Sequence, residues 1–122
     1  MFTLTVEETF AAAHQLREYQ GKCENLHGHN WKVELSVVGS EQDSAGMVMD
    51  FGELKKILRE ITALLDHTNL NEVPPFDVIN PSSENIAAFF FAEAKKRLGR
   101  QNVKILSVTI WESATSRCTY SE

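Results

Sequence analysis

Cysteine is scarce in this chain, with only Cys23 and Cys118, far apart in sequence. That is too few for the disulfide framework of a small secreted domain. One bridge could formally be drawn. The N-terminus, however, has no basic region followed by an apolar run, so no signal peptide is expected. Reduced thiols in a cytoplasmic protein are the better expectation. No stretch approaches the roughly 18 apolar residues of a membrane span, so no membrane partner is expected. An excess of cations is missing too: 12 Lys and Arg stand against 17 Asp and Glu, a net charge of -5. A nucleic-acid binder would normally show a basic stripe, so none is expected as a partner. A small anionic substrate stays possible, because a few local cations suffice to hold it.

Repeats, low-complexity tracts and linkers are absent as well. The 122 residues therefore read as one domain, 1–122. At 43% hydrophobic residues the chain can build a core, but not an additional deep cavity. A small-molecule site would then be a surface cleft or a subunit interface.

The pattern that is present is α+β. Residues 2–10 alternate, with Phe2, Leu4, Val6 and Phe10 on one side, as a half-buried strand does. Residues 29–38 alternate too, with Trp31, Val33, Leu35 and Val37 on one face. Asp50 and Glu53 form a capping-box pair ahead of Leu54, Ile57, Leu58, Ile61, Leu64 and Leu65 at helical spacing. A second helix is expected from Ser82, after Pro81, to Gly99, with Lys95, Lys96 and Arg97 favourably placed in its last turn. Two further strands are expected, over 103–112 and around 117–120. The order β-β-α-α-β-β predicts an antiparallel four-stranded sheet with two helices on one face.

Histidine is the scarce residue that matters most. The chain has four: His14, His27, His29 and His67. At i and i+2, His27 and His29 point to one face if they enter the second strand. His14 follows directly on the first strand, which can pair with the second. Three neutral imidazoles could thus meet at one point. Three histidines with one open position is a catalytic zinc arrangement, whereas structural zinc sites are closed by four ligands rich in cysteine. Ordinary polar strand residues are the competing reading, and a lone HxH pair would not overcome it.

Cys23 has three readings: a fourth metal ligand, a small buried hydrophobe, or a thiol whose ionisation a nearby cation favours. Its loop position beside Lys22 counts against simple burial. His67 closes the first helix and could merely complement its dipole. With Asp66 beside it, the imidazole could instead be held in one tautomer and pass a proton.

In order along the chain, the segments Phe10–His14, Cys23–Trp31, Gly46–Phe51, Leu65–Asn71 and Asn80–Asn85 form one pattern with Trp111-Glu112 and the later Tyr120. Over nearly the whole length it resembles the 6-pyruvoyl-tetrahydropterin synthase family, and within it the bacterial queuosine-pathway branch. The resemblance implies a T-fold (tunnelling fold), assembled into a homo-oligomer, usually a hexamer made of two trimers, with active sites at subunit interfaces. It implies Zn2+ on His14, His27 and His29. It makes Cys23 the catalytic thiol, with Asp66 and His67 as its proton-handling partners. Glu112 would anchor a pterin ring through paired N–H donors, and Ser82, Ser83 and Glu84 would line the pterin pocket. The family often has threonine where this chain has the two serines. The implied substrate is 7,8-dihydroneopterin triphosphate, with Lys22 and Arg17 as candidates to hold its phosphates. Cys23 and His27 are separated by three residues, as in the branch that makes 6-carboxy-5,6,7,8-tetrahydropterin and releases acetaldehyde and triphosphate. The pyruvoyl-type synthases carry a longer insertion there. A non-catalytic, zinc-stabilised interaction domain is the reading from outside enzymology, and it would have no use for Asp66, His67 or Glu112.

Overall fold

The structure is a computed structural model that describes residues 1–21 and 24–122. Its first strand, β1 (Phe2–His14), pairs antiparallel with β2 (His27–Gly39) along their full lengths. Both strands outrun their sequence-based limits. The Ala11-Ala12-Ala13 run hides the alternation, yet Val6, Phe10, Ala12 and His14 are all buried on one face. Opposite them, Trp31, Val33, Leu35 and Val37 have no exposed surface. Burying an aliphatic or aromatic side chain of this kind contributes about 1.5–3 kcal/mol, so this face fixes the register of the pair.

Helix α1 (Phe51–Leu65) lies over that face through Leu54, Ile57, Leu58, Ile61 and Leu65. Leu64, expected among them, stays 46% exposed, because the stripe needs only one of two adjacent leucines at its end. The capping box is half made. Asp50 accepts from the Gly52 N–H at 2.8 Å, while Glu53 turns away to pair with Arg100 at 2.7 Å. After α1, Thr68–Asn69 form a short strand, β3, that runs parallel to β1. Helix α2 (Ser83–Leu98) follows, capped by the Ser82 side chain and closed by Gly99 in the left-handed conformation. Strand β4 (Val103–Ser113) and the edge strand β5 (Ser116–Tyr120) complete the chain.

The sheet order is β3-β1-β2-β4-β5. The four long strands are antiparallel as expected. The fifth is the correction: two residues are too few to leave a period in the sequence. The architecture is the α+β T-fold, with a sheet covered on one face by two helices. No helix among the described residues is long and apolar enough to cross a membrane.

Candidate metal centre and adjoining cleft

The buried face of β1 and β2 changes chemistry at one end of the sheet. Beyond Phe10 and Trp31 the same alternation places His14, His27 and His29 on that face. His14 sits directly opposite His27 in the ladder, and His29 is opposite Ala12. On β4, Glu112 follows Trp111, which pairs with Lys32. Glu112 therefore continues the inward row of Val108 and Ile110. One ligand atom from each of His14, His27, His29 and Glu112 lies within 4.8 Å of all the others.

The local contacts define how the rings present themselves. His14 Nδ1 is 2.8 Å from the Pro81 carbonyl, and His27 Nδ1 is 2.8 Å from the Asn25 carbonyl. A carbonyl can only accept, so each Nδ1 carries the proton and each Nε2 keeps its lone pair. Those two Nε2 atoms face each other at 3.1 Å. His29 Nε2 is buried and without a hydrogen-bond partner, although Glu112 Oε1 lies 3.1 Å away. Burial pushes the His29 pKa below its ordinary value of 6.5, with His14 and His27 adding to the effect and Glu112 opposing it. Converging lone pairs, an orphaned buried nitrogen and a carboxylate suit a divalent cation. Neutral imidazole and carboxylate oxygen are ligands for such ions.

Glu112 has a second aspect. With Ser83, Glu84, Ser116, Arg117 and Cys118 it lines a cleft of about 340 Å³. Ser82, expected in this lining, is absent from it: its hydroxyl accepts from the Asn85 N–H as the cap of α2. Ser116, Arg117 and Cys118 were not anticipated. The short turn after Ser113 was the available signal, because it folds β5 back until Cys118 lies opposite Ile110. Burial, and then the charge of Glu84, push the Cys118 thiol pKa up. Arg117 stacks over Trp111, its guanidinium carbon 4.7 Å from the ring centre.

Asp66 and His67 stand elsewhere. Asp66 Oδ1 accepts from the Ala11 N–H at 2.9 Å, and His67, in the left-handed conformation, donates its own N–H to the Ala11 carbonyl. The His67 side chain is 83% exposed and 3.6 Å from Asp66. It borders a shallow depression lined also by Ala11, Ala13, Gly28, Asn30 and His29. The Asp-His pair stays together, and neither residue joins the group formed by His14, His27, His29 and Glu112. Cys23 and Lys22 lie outside the described residues. The Arg17 guanidinium donates to the Phe76 and Ile79 carbonyls at 2.9 and 2.7 Å, which leaves it poorly placed to hold phosphate.

The fold and this cluster together define a class: a two-helix, sheet-backed α+β domain with a histidine-rich cluster at the sheet's end that could hold a cation. Comparison with known proteins sharpens the class to a family. The sequence model of 6-pyruvoyl tetrahydropterin synthase matches residues 3–122, and the chain belongs to that family of enzymes. It is 31% identical to a 6-carboxy-5,6,7,8-tetrahydropterin synthase of Haemophilus influenzae, with both chains covered in full. It is 38% identical to a 6-pyruvoyl tetrahydrobiopterin synthase of Dictyostelium discoideum over 72% of this chain and 74% of that one. The fold superimposes on the solved 6-pyruvoyl tetrahydropterin synthase of Caenorhabditis elegans with a TM-score of 0.88 at 30% identity, covering 99% of this chain and 95% of the other.

Proposed function

We propose that this protein converts 7,8-dihydroneopterin triphosphate to 6-carboxy-5,6,7,8-tetrahydropterin, releasing acetaldehyde and triphosphate, as a step of queuosine biosynthesis in the cytoplasm. The observation that carries the reading is the position of Glu112. It shares one cluster with the three histidines and also walls the adjoining cleft. A pterin ring in that cleft would offer paired N–H donors to Glu112, with Glu84 and Ser83 beside it. Its side chain would then run toward His14, His27 and His29.

Those three histidines would hold Zn2+, leaving an open position. When bound there, zinc supplies Lewis acidity toward the side-chain hydroxyl oxygens. The remaining work falls to the protein. Cys23, as thiolate, removes a proton from the side-chain carbon next to the ring. The ring is reduced while that side-chain carbon is oxidised, so no redox cofactor is consumed. Triphosphate leaves by elimination. A water supplies the second carboxylate oxygen as the carbon–carbon bond breaks and acetaldehyde departs. His67, oriented by Asp66, exchanges protons on the far side. Because one chain keeps this pair apart from its own cluster, a second copy brings it to the cleft. A homohexamer of two trimers with interfacial sites would provide that arrangement.

A second reading is triphosphate elimination alone, giving the 6-pyruvoyl product. The Dictyostelium relative favours it, since that protein is named for such a synthase. Zinc-loaded protein incubated with dihydroneopterin triphosphate decides between them by mass spectrometry. Acetaldehyde with a 6-carboxy product supports the proposal, and a pyruvoyl product without acetaldehyde replaces it. In the same assay Cys23→Ala should keep about one zinc per subunit and lose roughly 100- to 10,000-fold in rate, as expected for a removed general base. Loss of zinc together with activity would make Cys23 a ligand instead.

A further inference from the structure

The outer edge at the end of β1 is held by a strand of only two residues and, on either side of it, largely by side chains. At Ala11 the partners are Asp66 and His67, and at Ala12 and Ala13 they are the two residues of β3. Beyond His14 no strand remains, yet the pairing continues in alternate residues. The Gln15 N–H donates to Asn71 Oδ1 and the Gln15 carbonyl accepts from Asn71 Nδ2, both at 2.9 Å. The Arg17 N–H donates to Asn80 Oδ1 at 2.8 Å and its carbonyl accepts from Asn80 Nδ2 at 2.9 Å. A primary amide offers one acceptor and a donor in the same plane, as a peptide group does. Asn71 and Asn80 thus stand in for the missing strand.

The two clamps differ in what lies behind them. The carbonyl of Asn80 accepts from Asn85 Nδ2 at 2.8 Å in the first turn of α2. The next carbonyl along the chain, that of Pro81, receives His14 Nδ1–H at 2.8 Å. Asn80 therefore ties the residue that partners His14 Nδ1 to the backbone at Arg17, three residues past His14. Asn71 closes the same kind of clamp but sits in the turn Leu70–Glu72, whereas Asn80 is the residue directly before Pro81.

We propose that Asn80 is a positioning residue for His14: its amide clamp fixes the Pro81 carbonyl, which holds the proton on Nδ1 and turns Nε2 into the cluster. The effect on metal rests on the zinc reading above, whereas the effect on the ring does not. Outer-shell partners of ligating histidines commonly set orientation and tautomer, and losing one typically costs about 10–100-fold in metal affinity.

The test compares Asn80→Ala, Asn80→Asp and Asn71→Ala. Asn80→Asp keeps the shape and one acceptor but loses the donor to Arg17, and it covers the case in which the alanine variant does not fold. Long-range ¹H–¹⁵N spectra of the metal-free protein report the His14 tautomer, and competition with a chelating indicator reports zinc affinity. Wild type and Asn71→Ala should show the Nδ1–H form. Both Asn80 variants should show a mixture with Nε2–H and bind zinc about 10–100-fold more weakly. An unchanged His14 spectrum in both Asn80 variants would overturn the proposal, as would an equal change in Asn71→Ala. Failure of wild type to bind zinc would sink the metal reading instead, while the spectra still decide the role of Asn80.

Discussion

One face of the β1–β2 ladder is built in two halves that obey opposite rules. From Val6 and Leu35 up to Phe10 and Trp31 it is apolar, sealed and covered by the helices. From His14 and His27 onward the same alternation carries nitrogen lone pairs that face each other. Trp31 forms the boundary, with its ring edge-on to both His14 and His29 at 4.9 and 5.1 Å. The apolar half has no unmet need and supplies stability. The imidazole half is held in place by that stability yet remains electrostatically incomplete. Rigid strands position ligands more closely than loops can, so the sealed half makes the open half possible.

Substitutions on the two sides should separate these roles. The largest effect is expected from His27→Ala. It should abolish stoichiometric zinc binding in an elemental assay and reduce turnover to background, while the thermal midpoint of the metal-free protein stays close to wild type. A drop of many degrees in that metal-free midpoint would mean that the imidazole half also carries the fold. Leu35→Ala should act the other way. Truncating a fully buried leucine costs about 2–5 kcal/mol, read by urea denaturation, while the folded fraction still binds zinc with wild-type affinity.

The gentlest discriminator is pH. Burial lowers the pKa of His29 in the folded state below 6.5, so the unfolded chain binds more protons near and below that value. Stability is then fully present above about 6.5 and is lost as pH falls toward the lowered folded value. The thermal midpoint of metal-free protein should decline below neutrality, and His29→Gln should flatten that decline. An equally steep profile in the glutamine variant would assign the effect to other groups.

Much of this division could be read before the fold was known. The i, i+2 spacing of His27 and His29, with His14 near the end of an alternating strand, was enough to gather three imidazoles. The helices and their caps followed from Asp50, Ser82 and Gly99. Other features depend on relations that a linear sequence does not contain. Ala11–Ala13 conceal the continuation of β1 because alanine is neutral to alternation. Glu112 was legible as a candidate carboxylate, but its approach to His29 depends on the cross-strand register of β2 and β4. Asp66-His67 looked like part of one site, and the turn after α1 instead ties the pair to the Ala11 backbone, outside the four-residue cluster. The separation agrees with a site completed by another copy, and that relation is invisible within a single chain.

The partial burial of Cys118 has a practical side. Its thiol is held above its ordinary pKa, first by desolvation and then by the nearby Glu84, so at neutral pH it stays protonated. A protonated thiol alkylates slowly. In a chain with two cysteines, rapid labelling by iodoacetamide would therefore be a selective signal from Cys23. The quiet thiol at the edge of the cleft makes the other one readable by simple mass measurement, without any engineered background.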